Sequence, residues 1–451
     1  MLMWRQPPCL HALYVRLAYQ SLPRASEACQ PGVEPLTKVL QVDCIPRPQS
    51  SPETVPTPDA GFELQWSLLL AACSAGVKQE NSSQAGEKDV LRELLRRPVD
   101  WTSLLQLAEH HGVMPLLHQA MSTLGPEAPP IGLSLLKQRF DANLRRTLFL
   151  TRELIRILDH LDALAIDVLP YKGVALAENV YGDIALRQAG DIDLLIRPRD
   201  LSPIKQALRE LGYTPHGLFS EAEERAYLRS GYECAFDSTL GRNLLEVQWA
   251  LQPRFYAVDY EMEGLFPRAI TINVAGRNMR TPSHEDLFLI LSLHAAKHVW
   301  GRLIWLCDIA EILKLPALNW DWIGQTAKAL GIVRILQVTL VLTKLLLGTT
   351  IPADAEKTFA PDQAAMALAN QIGHEIGRQG SHADSPDVES FSYFRLMMRL
   401  RERRADRFRF LHRLAFTPGP GEWKSVRLPA PLFPLYRLVR LWRMAARLAR
   451  S

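Results

Sequence analysis

Two aspartates one residue apart, Asp191 and Asp193, lie inside the run Gly190-Asp191-Ile192-Asp193-Leu194-Leu195-Ile196. Its β-branched and aliphatic residues favour an extended strand, and alternate side chains of a strand share a face. Both carboxylates therefore project the same way. Like charges on one face repel unless a cation lies between them. A hard divalent ion such as Mg²⁺ is the usual answer, because it takes one or two carboxylates together with substrate phosphates. The rest of the chain is organised around the stretch Tyr171–Arg197 that holds this pair.

Helix and strand periods alternate from Ile166 to Thr281. Ile166–Tyr171 reads as extended and ends at Lys172-Gly173; Val174 to about Tyr181 reads as helix, and Asp191–Arg197 as strand. Ser202-Pro203 opens a helix, with Ser as N-cap and Pro at the first position, and Gly212 ends it. Tyr232, Cys234 and Phe236 alternate, as do Leu245, Val247 and Trp249, and Thr239–Asn243 reads as the turn between them. Ile270–Val274 and Asn278–Arg280 form a second extended pair about Ala275-Gly276. Glu246 falls on the face opposite Leu245 and Val247, away from the core, as a third carboxylate on a neighbouring strand.

Helical patterns flank this unit. Phe62 to about Met121 is helical, Gly125–Gly132 breaks the pattern, and Leu133–Leu164 is a long helix. Ser283-His284-Glu285-Asp286 is a capping box in acidic form that starts three further helices, the last running from Asn319 to Gly348. Trp101, Ala108, Gly112 and Val113 match Trp320, Ala327, Gly331 and Ile332 at a constant offset of 219. That match is either a repeated helical unit or a coincidence of amphipathic helices. Ala360–Asp387 is weakly patterned. Phe391–Phe416 and Leu435–Ala449 are basic helix candidates. Residues 1–60 lack periodicity and end in a Pro/Ser/Thr-rich run, the mark of a disordered extension or linker. The expected divisions are 1–60, 61–145, 146–282, 283–375 and 376–451.

Composition narrows the class. The chain has 451 residues, 47% hydrophobic and 22% charged, which suits a water-soluble protein of two or three domains with a real core. Six cysteines form no CxxC pair, and no signal peptide or 18-residue apolar window is present, so a cytoplasmic location is expected. The net charge of +4 is uneven: from Phe391 onward there are 15 Arg and Lys against three acidic residues. That basic segment could meet nucleic acid or an anionic membrane, but docking on the acidic remainder of the chain is the favoured reading.

The α/β unit holds the parts of a phosphate-handling site. Lys172-Gly173 precedes a helix start, where backbone N–H groups can approach a phosphate. With GDIDLLI and the later strand carboxylate Glu246, the pattern resembles the nucleotidyltransferase superfamily of DNA polymerase beta. YKGVALAENVY, LRQAGDIDLLIRPRDL, LLEVQWAL and TPSHEDLFLILSLHAAKHVWGRLIWLCDIAEIL bring it nearer to a bacterial branch of uncharacterised nucleotidyltransferases found beside polysaccharide and exosortase genes. Two positions depart from the pattern. The 17 residues between Gly173 and Asp191 make a longer interval than is usual there. Gln248 stands where the bacterial branch tends to carry His.

The resemblance implies an α+β fold: a small mixed-sheet, polymerase-beta-like nucleotidyltransferase core flanked by helical regions. It implies transfer of an NMP group from a nucleoside triphosphate, with ATP the expected one, to an unidentified acceptor hydroxyl, with release of pyrophosphate. Asp191, Asp193 and Glu246 would bind two Mg²⁺ ions, with Glu246 on the ion that activates the acceptor. Lys172, Gly173, Arg187 and Gly190 would contact the nucleotide, Lys172 and Arg187 by neutralising the triphosphate; a salt bridge from Arg187 to Asp183 or Asp191 is the plainer alternative. The alternative function is a catalytically inactive nucleotidyltransferase-fold binding or interaction protein. His294 and His298 share a helix face and could bind metal with Asp308, although His294 lies on an apolar stripe and suits a core position better. Lys297 and Trp300 could line a pocket, but helix surface and packing explain them more simply.

Overall fold

The run around Asp193 forms strand β2 (Ile192–Leu195), buried along its whole length, in a five-stranded mixed sheet. The others are β1 (Leu169–Pro170), β3 (Thr214–Pro215), β4 (Glu233–Ser238) and β5 (Gly241–Gln248), in the order β1-β2-β5-β4-β3. β2 and β5 run parallel, and the other pairings are antiparallel. Register sets Asp193 opposite Glu246 and Leu195 opposite Gln248. A slip of one residue would turn every side chain of a strand to the other face. The buried Leu194 and Val247, paired with each other, hold the acidic residues on the opposite face.

The structure is a computed structural model that describes residues 60–77, 84–216, 220–238, 241–316, 318–378 and 391–448. The chain divides after Ala60, and everything described beyond that residue belongs to the second unit. The expected extension over residues 1–60 lies outside the described residues apart from Ala60 itself, and so do Thr239, Leu240 and the stretch 379–390; the rest of the expected turn, Gly241–Asn243, is already part of β5.

β6 (Ile270–Val274) and β7 (Arg277–Thr281) form a separate two-stranded ribbon. Ala275 and Gly276, its two turn residues, both have positive φ, 50° and 88°. That backbone suits the twist of a two-residue hairpin.

The flanking helices share one core with the sheet. The long helix α3 runs over Pro130–Ala163 and buries Leu136, Phe140, Leu144, Leu150, Leu154 and Leu158 on one face. Before it come α1 (Trp101–His110) and α2 (Met114–Thr123); well after it come the adjoining pair Trp320–Leu330 and Val333–Leu347. The residues matched at the offset of 219 do the same jobs in both pairs. Asp100 caps the first helix by accepting from Thr102 N at 3.0 Å, and Asn319 does so from Trp322 N at 2.9 Å. Gly112 and Gly331 close those helices with φ of 72° and 69°. Val113 N then donates to Ala108 O at 2.9 Å and Ile332 N to Ala327 O at 3.0 Å. Both are helix–glycine–helix units of one construction.

Three local expectations are corrected. The stretch from Asn319 to Gly348 is two helices, because the left-handed Gly331 interrupts it. The helix expected from Ser202 begins at Leu201 with Asp200 at the cap, because Pro198–Asp200 is already a helical turn that runs straight into it. The weakly patterned Ala360–Asp387 contains a helix, Gln363–Arg378, that buries Ala365, Leu368, Ala369, Ile372 and Ile376. Two of those five are alanine, which blurs the hydrophobic period.

The basic segment folds as helices Phe391–Arg399, Arg404–Phe416 and Tyr436–Leu448, with the short helical pieces Pro420–Ser425 and Ala430–Leu435 between the last two. Arg413 donates to both carboxylate oxygens of Asp259, at 2.6 and 2.7 Å, and the buried Arg401 donates to Tyr256 O at 2.6 Å. Part of the basic charge is therefore used inside the molecule. Phe408 and Trp442 stay 72% and 69% exposed. Among the described residues, no helix is long and apolar enough to cross a membrane.

Candidate active site

Asp191 ends the approach to β2, Asp193 lies within it, and Glu246 is its partner on β5. One oxygen from each lies within 4.8 Å of the others. Asp193 is buried, and the other two are half-buried. Burial pushes the Asp191 carboxyl up to about 6, with repulsion from Asp193 adding to it. Glu246 is raised to about 7, first by burial and then by Asp193 and Glu233. The donor set is all hard oxygen and strained by its own charge, which fits a divalent ion such as Mg²⁺.

The Lys172 ammonium lies 3.2 Å from Asp193 Oδ1. Its burial alone would favour the neutral form, but Asp193, Tyr171 and Asp191 outweigh that and the net shift is upward. Gly173 follows with φ of 54°, and a Cβ there would stand 3.0 Å from Asp191 O. Only glycine lets the backbone pass this close to β2 at that angle. The long interval to Asp191 is filled by a helical turn (Gly173–Leu176), a π-helical turn (Ala177–Tyr181) and a loop. Gly190 O accepts from Arg146 of α3 at 2.7 Å, which ties the long helix to the acidic loop.

Gln248, where the resemblance suggested His, occupies the middle of the cluster. Tyr171 OH donates to its Oε1 at 2.7 Å. Its Nε2 then faces Asp193 Oδ1 and Glu246 Oε2, both at 3.3 Å, and Glu233 Oε2 at 3.5 Å. An amide gives a donor whose charge does not change with pH. Glu233 is a fourth carboxylate that sequence reasoning missed. Its signal was the β4 alternation: with Phe236 turned to the core, Glu233 faces the side that Glu246 faces on β5.

Arg187 is placed differently from the expectation. Its guanidinium forms a buried two-point pair with Asp308, Nε to Oδ1 and Nη2 to Oδ2, both at 2.8 Å. Tyr181 OH donates to the same carboxylate at 2.8 Å. Neither Asp183 nor Asp191 is its partner, and those two donors are committed to protein. Asp308 is committed as well. It makes no metal-spaced group with His294 and His298; among the described residues the carboxylate trio is the group with that spacing. The two imidazoles lie 4.8 Å apart against Trp305. Burial holds both neutral, with His298 down to about 3. Lys297 donates to Tyr232 OH at 2.9 Å. Trp300 is fully buried, and its indole donates to Thr339, so it is a packing residue.

These groups surround a cavity of about 390 Å³, a volume suited to a small ligand. The trio, Lys172, Gly173, Gly190 and Arg187 all line it, as do His294, Lys297 and His298. Arg302 lines it too, is exposed, and makes no ion pair among the described residues. Sequence reasoning missed it, since nothing in its neighbours marks it.

A small mixed sheet with three carboxylates gathered across paired parallel strands, wrapped by helices, is the core of a nucleotidyltransferase. The chain belongs to the uncharacterised nucleotidyltransferase family, whose model matches residues 97–348, more than half of the sequence. No curated protein and no solved structure matches it. The family span takes in all seven described strands together with His294 and His298, and ends before the basic helices.

The raised carboxyls give a pH prediction. Between their ordinary range near 4 and the raised values of about 6 and about 7, the folded ion-free protein holds more protons than the unfolded chain. Their contribution to stability is complete below that range and is lost as pH rises through the folded values. An ion competes with those protons, so the gain in Tm on adding Mg²⁺ should be larger at about pH 7.5 than at about pH 5.5. An equal gain at both would count against the trio as the ion site.

Proposed function

We propose that this protein transfers an NMP group from a nucleoside triphosphate, ATP being the expected one, to an acceptor hydroxyl, with Mg²⁺ held by Asp191, Asp193 and Glu246. One observation carries the reading: an oxygen of each of the three carboxylates lies within 4.8 Å of the others, Asp193 paired with Glu246 across adjacent strands and Asp191 just before β2, beside a cavity of ligand size. Two bound Mg²⁺ ions would neutralise phosphate charge and polarise the phosphorus under attack.

The chain supplies the rest. Lys172 and Gln248 fix Asp193 in orientation, and Lys172 adds positive charge on the nucleotide side. Gly173, which also lines the cavity, lets the backbone pass close to the Asp191 carbonyl. Arg302, exposed and lining the cavity, takes the triphosphate-facing role that the sequence suggested for Arg187, whose Nε and Nη2 are spent on Asp308. Glu246 flanks the acceptor. The acceptor oxygen forms a bond to the α-phosphorus as the bond to the bridging β-phosphate oxygen breaks. Pyrophosphate leaves with that electron pair, and the hydroxyl proton passes towards Glu246.

Calorimetric titration with Mg²⁺ and ATP tests this. The native chain should bind the nucleotide only with Mg²⁺ present, and Asp191→Ala/Asp193→Ala should weaken binding at least about 100-fold. Unchanged binding in the double variant would leave a fold that binds partners without using this cluster.

A further inference from the structure

The cavity beside the carboxylates has a neighbour of about 410 Å³, and the two share Tyr232, Lys297 and His298 as lining residues. These three side chains form the partition between them. The far wall is built from the basic segment, outside the family match: Phe394, Leu414, Arg440 and Arg443. Tyr227 and Phe255 complete an aromatic lining.

The charge of this second chamber is informative. Arg440 and Arg443 both contact Glu422, at 3.3 and 2.8 Å. Among the described lining residues, Arg440, Arg443 and Lys297 stand against the one acidic residue Glu422, and Arg440 is held further by Leu414 O. The chamber therefore combines aromatic walls with more basic than acidic groups among its described lining residues. Aromatic walls favour a ring with an apolar face, and paired guanidiniums favour a carboxylate, phosphate or sulfate group. Its volume fits a small molecule rather than a folded nucleic acid.

We propose that this chamber is the acceptor subsite and that it takes a small hydroxylated molecule carrying an apolar ring and an anionic group. The assignment as acceptor rests on the transferase function proposed above; the ligand chemistry rests on the chamber itself. The hydroxyl end lies at the Tyr232–Lys297 partition and faces Glu246, the ring lies between the aromatic walls, and the anion lies against Arg443. A polycationic acceptor does not suit such walls.

The full chain can be titrated with 4-hydroxyphenylacetate and with tyramine, which place opposite charges on the same ring and hydroxyl, and separately with Mg²⁺ and ATP. The aryl anion should bind at least tenfold more tightly than the amine. Arg443→Gln should weaken the anion at least fivefold and leave the amine within twofold. Thr417→Trp, which fills the chamber from a half-buried lining position that makes no ion pair itself, should abolish binding of the anion and serves if Arg443→Gln fails to fold. Equal affinity for both probes, preference for the amine, no binding of either, or indifference to both substitutions would overturn the ligand assignment. Binding of the aryl anion by a chain that binds no Mg²⁺-ATP would keep the chamber's chemistry and remove its role as an acceptor site.

Discussion

Glu246→Gln is expected to slow nucleotidyl transfer at least about 100-fold while keeping Mg²⁺-nucleotide affinity within about threefold. On the proposed reading the two aspartates would still hold the nucleotide-side ion, and glutamine keeps the shape of the side chain opposite Asp193 on β2. What is lost is a negative oxygen next to the acceptor. Release of pyrophosphate measures the first quantity, and calorimetry the second. A variant that loses affinity and rate equally would place Glu246 in nucleotide binding instead. A variant with native rate would remove it from the chemistry.

Breaking the Arg187–Asp308 pair should produce the largest loss of stability. Both groups are buried, at 8% and 0% side-chain exposure, and Tyr181 completes the network. Asp308→Ala leaves a buried guanidinium without its counter-charge, and such changes cost about 3–5 kcal/mol. Arg187→Met/Asp308→Leu should recover much of that loss, because neither charge is then stranded. Denaturant midpoints on the three proteins would show the pattern. If Asp308→Ala were neutral while Arg187→Lys destroyed nucleotide binding, Arg187 would be a phosphate ligand after all.

How far the sequence could be read follows from how local each signal is. Asp191 and Asp193 declared themselves because a period of two is written in consecutive residues, and Glu246 was found by the same rule on β5. The core strands, the long helix α3 and the β6–β7 turn were visible for the same reason. Partners that meet only through folding were not: Asp308 stands 121 residues from Arg187, and nothing near either names the other. Gln248 could be noticed only as a departure from a pattern, since its place between three carboxylates depends on strand order. Gly173 was expected to admit a phosphate. The structure shows the more elementary need, room for the Asp191 carbonyl beside a backbone of positive φ.

Tyr232, Lys297 and His298 present themselves to both chambers at once. A molecule that orders this partition from one side changes what a molecule on the other side meets. Thermodynamic reciprocity then makes the coupling equal in both directions: whatever factor a bound nucleotide applies to the acceptor's affinity, the acceptor applies to the nucleotide's. If both proposed ligands bind, titrations run in either order should return one and the same coupling factor.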